Sequence, residues 1–108
     1  MSDEHAIQID GTCATLSGVL RLESSDAYAR LLSPVLEWLQ TVTSYTIDVR
    51  RVVLLNSSGI RALGTLVLQA KKAGLKLTLR GRRDVPWQKK SMASLAPLYP
   101  TGLTVELV

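Results

Sequence analysis

The side chains whose type and setting could do chemistry near neutral pH are the adjacent pair Ser57 and Ser58, the single histidine His5, and the single cysteine Cys13. The serines stand in Asn56-Ser57-Ser58-Gly59, directly after an apolar run over residues 52–55. Ile60, Leu63, Leu66, Val67 and Ala70 then recur at the three-and-four spacing of one helix face. Asn and Ser oxygens accept the free N–H groups of a first helical turn, so on residue type alone Ser57 or Ser58 is a cap. Neither serine has Glu or Gln three residues later, so a capping box is absent. The functional alternative is a phosphoacceptor at the positive end of a helix, where exposed N–H groups and the helix dipole stabilise a phosphate.

Catalysis by Ser58 as a nucleophile requires a general base. His5 is remote, in a polar N-terminal stretch that reads as a tail, and the basic groups near Ser58 in sequence are arginines. A single Cys rules out an intrachain disulfide, and one His with one Cys argues against a His- or Cys-based metal site. Cys13, between Thr12 and Ala14 in a strand-like run, reads as a buried, inert thiol. No cofactor is expected, and the residues argue against an enzyme.

The chain has 108 residues, 46% of them hydrophobic, which suffices for one core and reads as a single domain over residues 1–108. It contains no apolar run of the ~18 residues a membrane-spanning helix needs, so no membrane partner is expected. The start, MSDEHAIQID, is acidic and polar, unlike a signal peptide. With the lone cysteine this gives an expectation of a reducing, cytoplasmic setting. Charge is uneven: residues 1–48 hold seven acids against Arg21 and Arg30, whereas residues 49–108 hold eleven Lys or Arg against Asp84 and Glu106. Nucleic acid is a poor match to this excess, because few aromatics lie among the basic residues to stack bases. A basic face toward an acidic protein, or a solvated face, fits better.

The elements that must hold the serines follow from pattern. Asp10-Gly11 marks a turn between strand-like runs over residues 5–9 and 13–22, an opening hairpin. Glu23-Ser24-Ser25-Asp26 starts a helix with Tyr28, Leu31, Leu32, Val35, Leu36 and Leu39 on one face. Pro34 falls inside that stripe and predicts a bent or two-part helix. Trp38 is offset from the stripe and is expected to be partly buried. Residues 45–49 and 52–55 are strand-like, the serine helix runs to about Ala73, and Gly74 closes it. Arg61, Thr65, Gln69 and Lys72 line its polar face. Residues 75–80 alternate as a strand, Pro86 opens a short helix from Trp87 to Leu98, and residues 103–108 form a last strand. The order is β-β-α-β-α-β-α-β, an α/β fold with a mixed sheet and helical crossovers.

This order, with LNSSGIRALGTL at the third-strand-to-second-helix junction, resembles the STAS domain, the fold of anti-sigma factor antagonists and of the cytosolic tails of sulfate transporters. Ser57-Ser58-Gly59-Ile60 carries the likeness most specifically; Asp48 in the preceding strand and Gly18-Val19-Leu20 also fit. Asn56 and Arg21 stand where the family usually has or often has Asp. Asn56-Ser57-Ser58-Gly59 together with Pro86-Trp87-Gln88-Lys89-Lys90-Ser91 is similar to a small bacterial STAS subfamily of regulators, well represented in cyanobacteria. Pro34-Val35-Leu36-Glu37-Trp38 resembles STAS-like regulators of the SiaC type.

The resemblance implies a non-catalytic module of a partner-switching pathway, phosphorylated on Ser58, with Ser57 the alternative. It implies a protein partner, a histidine-kinase-like ATPase, serine kinase or anti-sigma factor, sometimes joined by a phosphatase. Asn56, Ser57, Ser58, Gly59, Arg61, Thr65 and Gln69 are the expected partner surface. Trp87 is either a core residue beside a solvated basic turn or a second contact. The alternatives are a constitutive adaptor, in which the serines only cap the helix, and a domain that senses a nucleotide or other small ligand.

Overall fold

The computed structural model describes residues 5–108, so Asp3 and Glu4 of the acidic start lie outside the described residues. Strands β1 (His5–Asp10) and β2 (Cys13–Leu20) form the opening hairpin. They are followed by α1 (Ser25–Leu39), β3 (Ser44–Leu55), α2 (Ser57–Ala73), β4 (Lys76–Gly81), α3 (Pro86–Leu95) and β5 (Leu103–Leu107). His5 is therefore the first residue of a strand rather than part of a tail. The sheet order is β1-β2-β3-β4-β5. β1 is antiparallel to β2, and the other pairs are parallel. Each parallel step carries a helix, as a crossover between parallel strands requires.

Alternation places Ala14, Leu16, Ile47, Val49, Leu77 and Leu79 on the covered face of the sheet. Against them pack Leu32, Val35, Leu63, Leu66, Val67 and Met92 from the helices. The opposite face is polar: Thr15, Asp48, Arg80 and Glu106 stand in one register row across four strands. Cys13 belongs to this face and is half-buried, not enclosed in the core, because its neighbour Ala14 takes the inward position.

Two local features depart from the sequence reading. Pro34 does not divide α1, which runs unbroken past it. Proline deprives the carbonyl four residues back, that of Arg30, of its helical donor. The Ser33 hydroxyl donates to that carbonyl at 3.0 Å, so the break is bridged within the helix. The runs at 45–49 and 52–55 are one twelve-residue strand, β3. Thr15 pairs with Asp48 and Ser17 with Arg51, so β3 carries one residue more than β2 there. Gly18 pairs with Val52 and Val19 with Leu54, which makes Val53 a second extra residue. Such bulges let Arg50 and Arg51 interrupt the apolar pattern without ending the strand.

β4 pairs with β3 only as far as Asp48. Beyond it, the start of α3 covers the free edge of β3. Gln88, fully buried, donates from Nε2 to the carbonyls of Val49 (2.9 Å) and Val52 (3.0 Å). Its Oε1 accepts from the Arg82 N–H at 2.7 Å. The segment Gln88-Lys89-Lys90-Ser91 is thus not simply a solvated basic turn: Gln88 and Ser91 are buried, and Lys89 and Lys90 are exposed.

Candidate functional site

The serine junction is built around Asn56, which is the N-cap of α2. Its Oδ1 accepts from the Gly59 N–H at 3.0 Å and from the Tyr28 hydroxyl at 2.6 Å. Its Nδ2 donates to the Leu22 carbonyl at 3.0 Å. Burial holds the Tyr28 phenol above its ordinary pKa, against a smaller opposing effect from the Leu22 backbone, so the hydroxyl keeps its proton. One amide side chain therefore ties the mouth of α2 to the β2–α1 loop and to the first turn of α1.

That arrangement corrects the reading of the serines as caps. With Asn56 in the cap position, Ser57 and Ser58 are the first two residues of the helix. Ser57 is exposed and Ser58 half-buried. The Ser58 hydroxyl makes no hydrogen bond among the described residues, and the N–H groups of Ser57 and Ser58 have no protein acceptor. These two N–H groups are the free donors that every helix start leaves. Gly59 has a separate reason: a Cβ there would run into Leu55 and come within 2.8 Å of Tyr28 Oη, so the first turn of α2 approaches as closely as it does only with glycine.

Ser58 faces a groove of about 760 Å³ between α1 and α2. The α2 wall carries Ser58, Arg61, Ala62 and Thr65; the α1 side carries Glu23, Ser24, Ser25, Asp26 and Ala29; Leu32, Leu36 and Leu66 line the floor. Arg61 is exposed and has no ion-pair partner among the described residues. Three residues after Ser58 on the same helix, it lies within reach of a group attached to Ser58. The carboxylates of Glu23 and Asp26 share the groove, but no hydrogen bond joins either to Ser58, and no His or Cys lines it. A nucleophilic serine needs a base within hydrogen-bond reach, and Ser58 has none in this arrangement.

The expected surface is thus only partly brought together. Ser58, Arg61 and Thr65 share the groove. Gln69 lies further along α2, in a smaller depression of about 290 Å³ with Leu36, Leu39, Gln40 and Lys72. Asn56 supports from behind, and Gly59 is buried. Trp87 is half-buried over β3, its Nε1 donating to the Val53 carbonyl at 3.0 Å, and does not line the groove. The sequence reading missed the α1 wall and Tyr28. Glu23-Ser24-Ser25-Asp26 reads only as a helix start, and Ser24 indeed caps α1 by accepting from the Ala27 N–H at 3.2 Å. Nothing in the linear sequence sets it opposite Ser58; the side-by-side packing of two parallel crossover helices does.

A second depression, of about 650 Å³, lies on the polar face of the sheet and includes Thr15, Asp48, Arg50, Arg51 and Arg82. Burial would raise the Asp48 carboxyl pKa. Hydrogen bonds from the Arg50 side chain (2.8–3.1 Å) and backbone N–H (3.0 Å), with the charges of Arg50 and Arg80, outweigh it, and the pKa falls below the ordinary value. Asp48 is a satisfied ion pair on the sheet face opposite the helices, away from Ser58.

The family model described as Mlab, STAS domain matches residues 5–97. The chain belongs to the STAS domain family. Among solved structures, the crystal structure of apo-SiaC from Pseudomonas aeruginosa is similar, with a TM-score of 0.60 and 22% identity, over 98% of this chain and 99% of that one. At that identity the likeness is one of fold. No curated protein matches the chain. No helix among the described residues is long and apolar enough to cross a membrane, and no cluster of metal-ligating residues occurs among them.

Proposed function

We propose that this STAS domain is a non-catalytic regulatory module of a partner-switching pathway, cytoplasmic and controlled by phosphorylation of Ser58. The observation that carries the reading is the release of Ser58 from capping. Asn56 caps α2, so the Ser58 hydroxyl stands unbonded at the second position of the helix, in a groove with unpaired Arg61. A phosphate there gains the free N–H groups, the helix dipole and a charge-assisted bond from Arg61. It also places about −1.5 to −2 charges opposite Glu23 and Asp26, which reverses the electrostatic character of the α2 wall.

The partner that fits is a protein seated on this groove: a histidine-kinase-like ATPase or serine kinase that phosphorylates Ser58, or an anti-sigma factor, with a phosphatase to reset the switch. Ser58, Arg61 and Thr65 make contact, Gln69 extends the surface, and Asn56 and Gly59 fix its shape. Ser57, exposed one residue earlier, is the alternative acceptor. The test is intact-mass measurement after incubation with the cognate ATP-dependent kinase. One added phosphate, absent from Ser58→Ala, is expected; an unchanged mass with a kinase that binds the domain rules out the phosphoswitch while leaving the interaction role.

The groove favours one second reading, a small anionic ligand at the same helix mouth. Its volume falls within the range of ligand pockets, about 300–1,000 Å³. Calorimetric titration with nucleotides separates the two: heat of binding supports a ligand, and none leaves the protein partner alone.

A further inference from the structure

The largest apolar exposures near the α2 junction are not in the groove. Val53 is 70% exposed and Leu54 39%. The bulge explains the geometry: Val53 has no counterpart in β2, so its side chain stands out of the sheet while Val52 on one side of it stays buried. A β-branched aliphatic residue turned into water gains nothing for the fold. Trp87 reaches this stretch of strand through its indole N–H, which donates to the Val53 backbone carbonyl. Arg51 lies two residues earlier on the strand, and Lys89 and Lys90 lie on the exposed side of the first turn of α3; all three are exposed and without an ion pair among the described residues. The acids nearby in sequence are already engaged, Asp48 by Arg50 and Asp84 by Arg82.

We propose that the end of β3 and the start of α3 form a second docking surface, separate from the Ser58 groove, for an acidic protein segment carrying aliphatic side chains. Val53, Leu54 and the Trp87 ring supply the apolar contact, and Arg51, Lys89 and Lys90 supply the charge. Exposed aliphatic side chains at the end of β3, with unpaired cations on the same strand and on the helix whose Trp87 is bonded to it, are complementary to such a segment. A membrane fits less well. The Trp87 indole N–H is held by the Val53 carbonyl, only two exposed aliphatic side chains, Val53 and Leu54, lie here, and the inward face of α3, with Met92 and Leu95, is already buried in the interior.

The test uses the full chain with Trp38→Phe, so that Trp87 is the only indole reporter. The probe is a synthetic glutamate-rich peptide with two adjacent leucines, compared with its isomer bearing lysines for glutamates and with phosphatidylserine vesicles. Expected is a saturable change in Trp87 emission with the acidic peptide, at least tenfold tighter than with the lysine isomer. Val53→Ser with Leu54→Ser weakens it at least tenfold, and so does Lys89→Glu with Lys90→Glu, which keeps the test decisive if the first pair fails to fold. Ser58→Asp leaves it within twofold, so loss of the Ser58 switch and loss of this surface are told apart. No change with the acidic peptide, equal response to the lysine isomer, insensitivity to the lysine reversal, response to vesicles alone, or a large effect of Ser58→Asp would each overturn the proposal.

Discussion

The amide of Asn56 offers an acceptor and a donor, and the junction uses both: Oδ1 holds the Gly59 N–H and Tyr28, and Nδ2 holds the Leu22 carbonyl. Aspartate is an equally good cap but has no N–H to give. The residue that looks in sequence like a lost negative charge is, in the fold, a gained donor. Asn56→Asp is expected to leave the Leu22 carbonyl facing a carboxylate and to cost about 1–3 kcal/mol in urea unfolding. A variant as stable as wild type would show that the Leu22 contact contributes nothing. Asp48 gives the pH counterpart. Its pKa is lowered in the folded state, so the pair stabilises the fold above the ordinary carboxylate value of about 3.9 and loses that contribution as pH falls through the lower folded value. Arg50→Ala is expected to reduce stability at pH 7 and to converge with wild type only once pH has fallen below the folded value of Asp48, and a titration of Asp48 by NMR reads its pKa rising in the variant. At this scale spacing alone read Ser57 or Ser58 as a cap; the STAS resemblance singled out Ser58, and Arg61 followed from its place three residues later on the same helix. Tyr28 was not, because its bond to Asn56 joins residues 28 positions apart.

Helix existence was legible from periodicity, and so were the Gly74 stop and the Pro86 start. What periodicity missed was how broken patterns are repaired. Proline inside α1 reads as a kink until the Ser33 hydroxyl is seen on the Arg30 carbonyl. Arg50-Arg51 reads as a gap between two strands until the bulge is seen. The β3 edge beyond Asp48 reads as nothing at all, because its partners arrive from α3 rather than from a strand. Gln88 carries that repair: it satisfies the Val49 and Val52 carbonyls and the Arg82 N–H. Gln88→Leu keeps the volume and removes all three bonds. It is expected to destabilise the domain by on the order of 3 kcal/mol and to raise amide exchange at Arg82 first. Unchanged exchange at Arg82 would show that the edge is held by Trp87 alone.

The whole molecule places α1 and α2 side by side on one face of a five-stranded sheet, and the groove between them is a consequence of that topology. The sequence carried the element order and the STAS resemblance; it could not carry the α1 wall, since charge opposition across a groove is a property of packing. Glu23 and Asp26 across from Ser58 and Arg61 give the proposed phosphoswitch its physical content. Before phosphorylation the two walls have opposite charge, and after it Arg61 is neutralised and both walls are acidic. A partner matched to the first state is repelled by the second. The direct test is calorimetric affinity of the proposed partner, a histidine-kinase-like ATPase, for the unmodified domain and for the same domain phosphorylated on Ser58. Binding at least tenfold weaker after phosphorylation, about 1.4 kcal/mol, is the predicted result; equal affinity for the two forms would contradict the account.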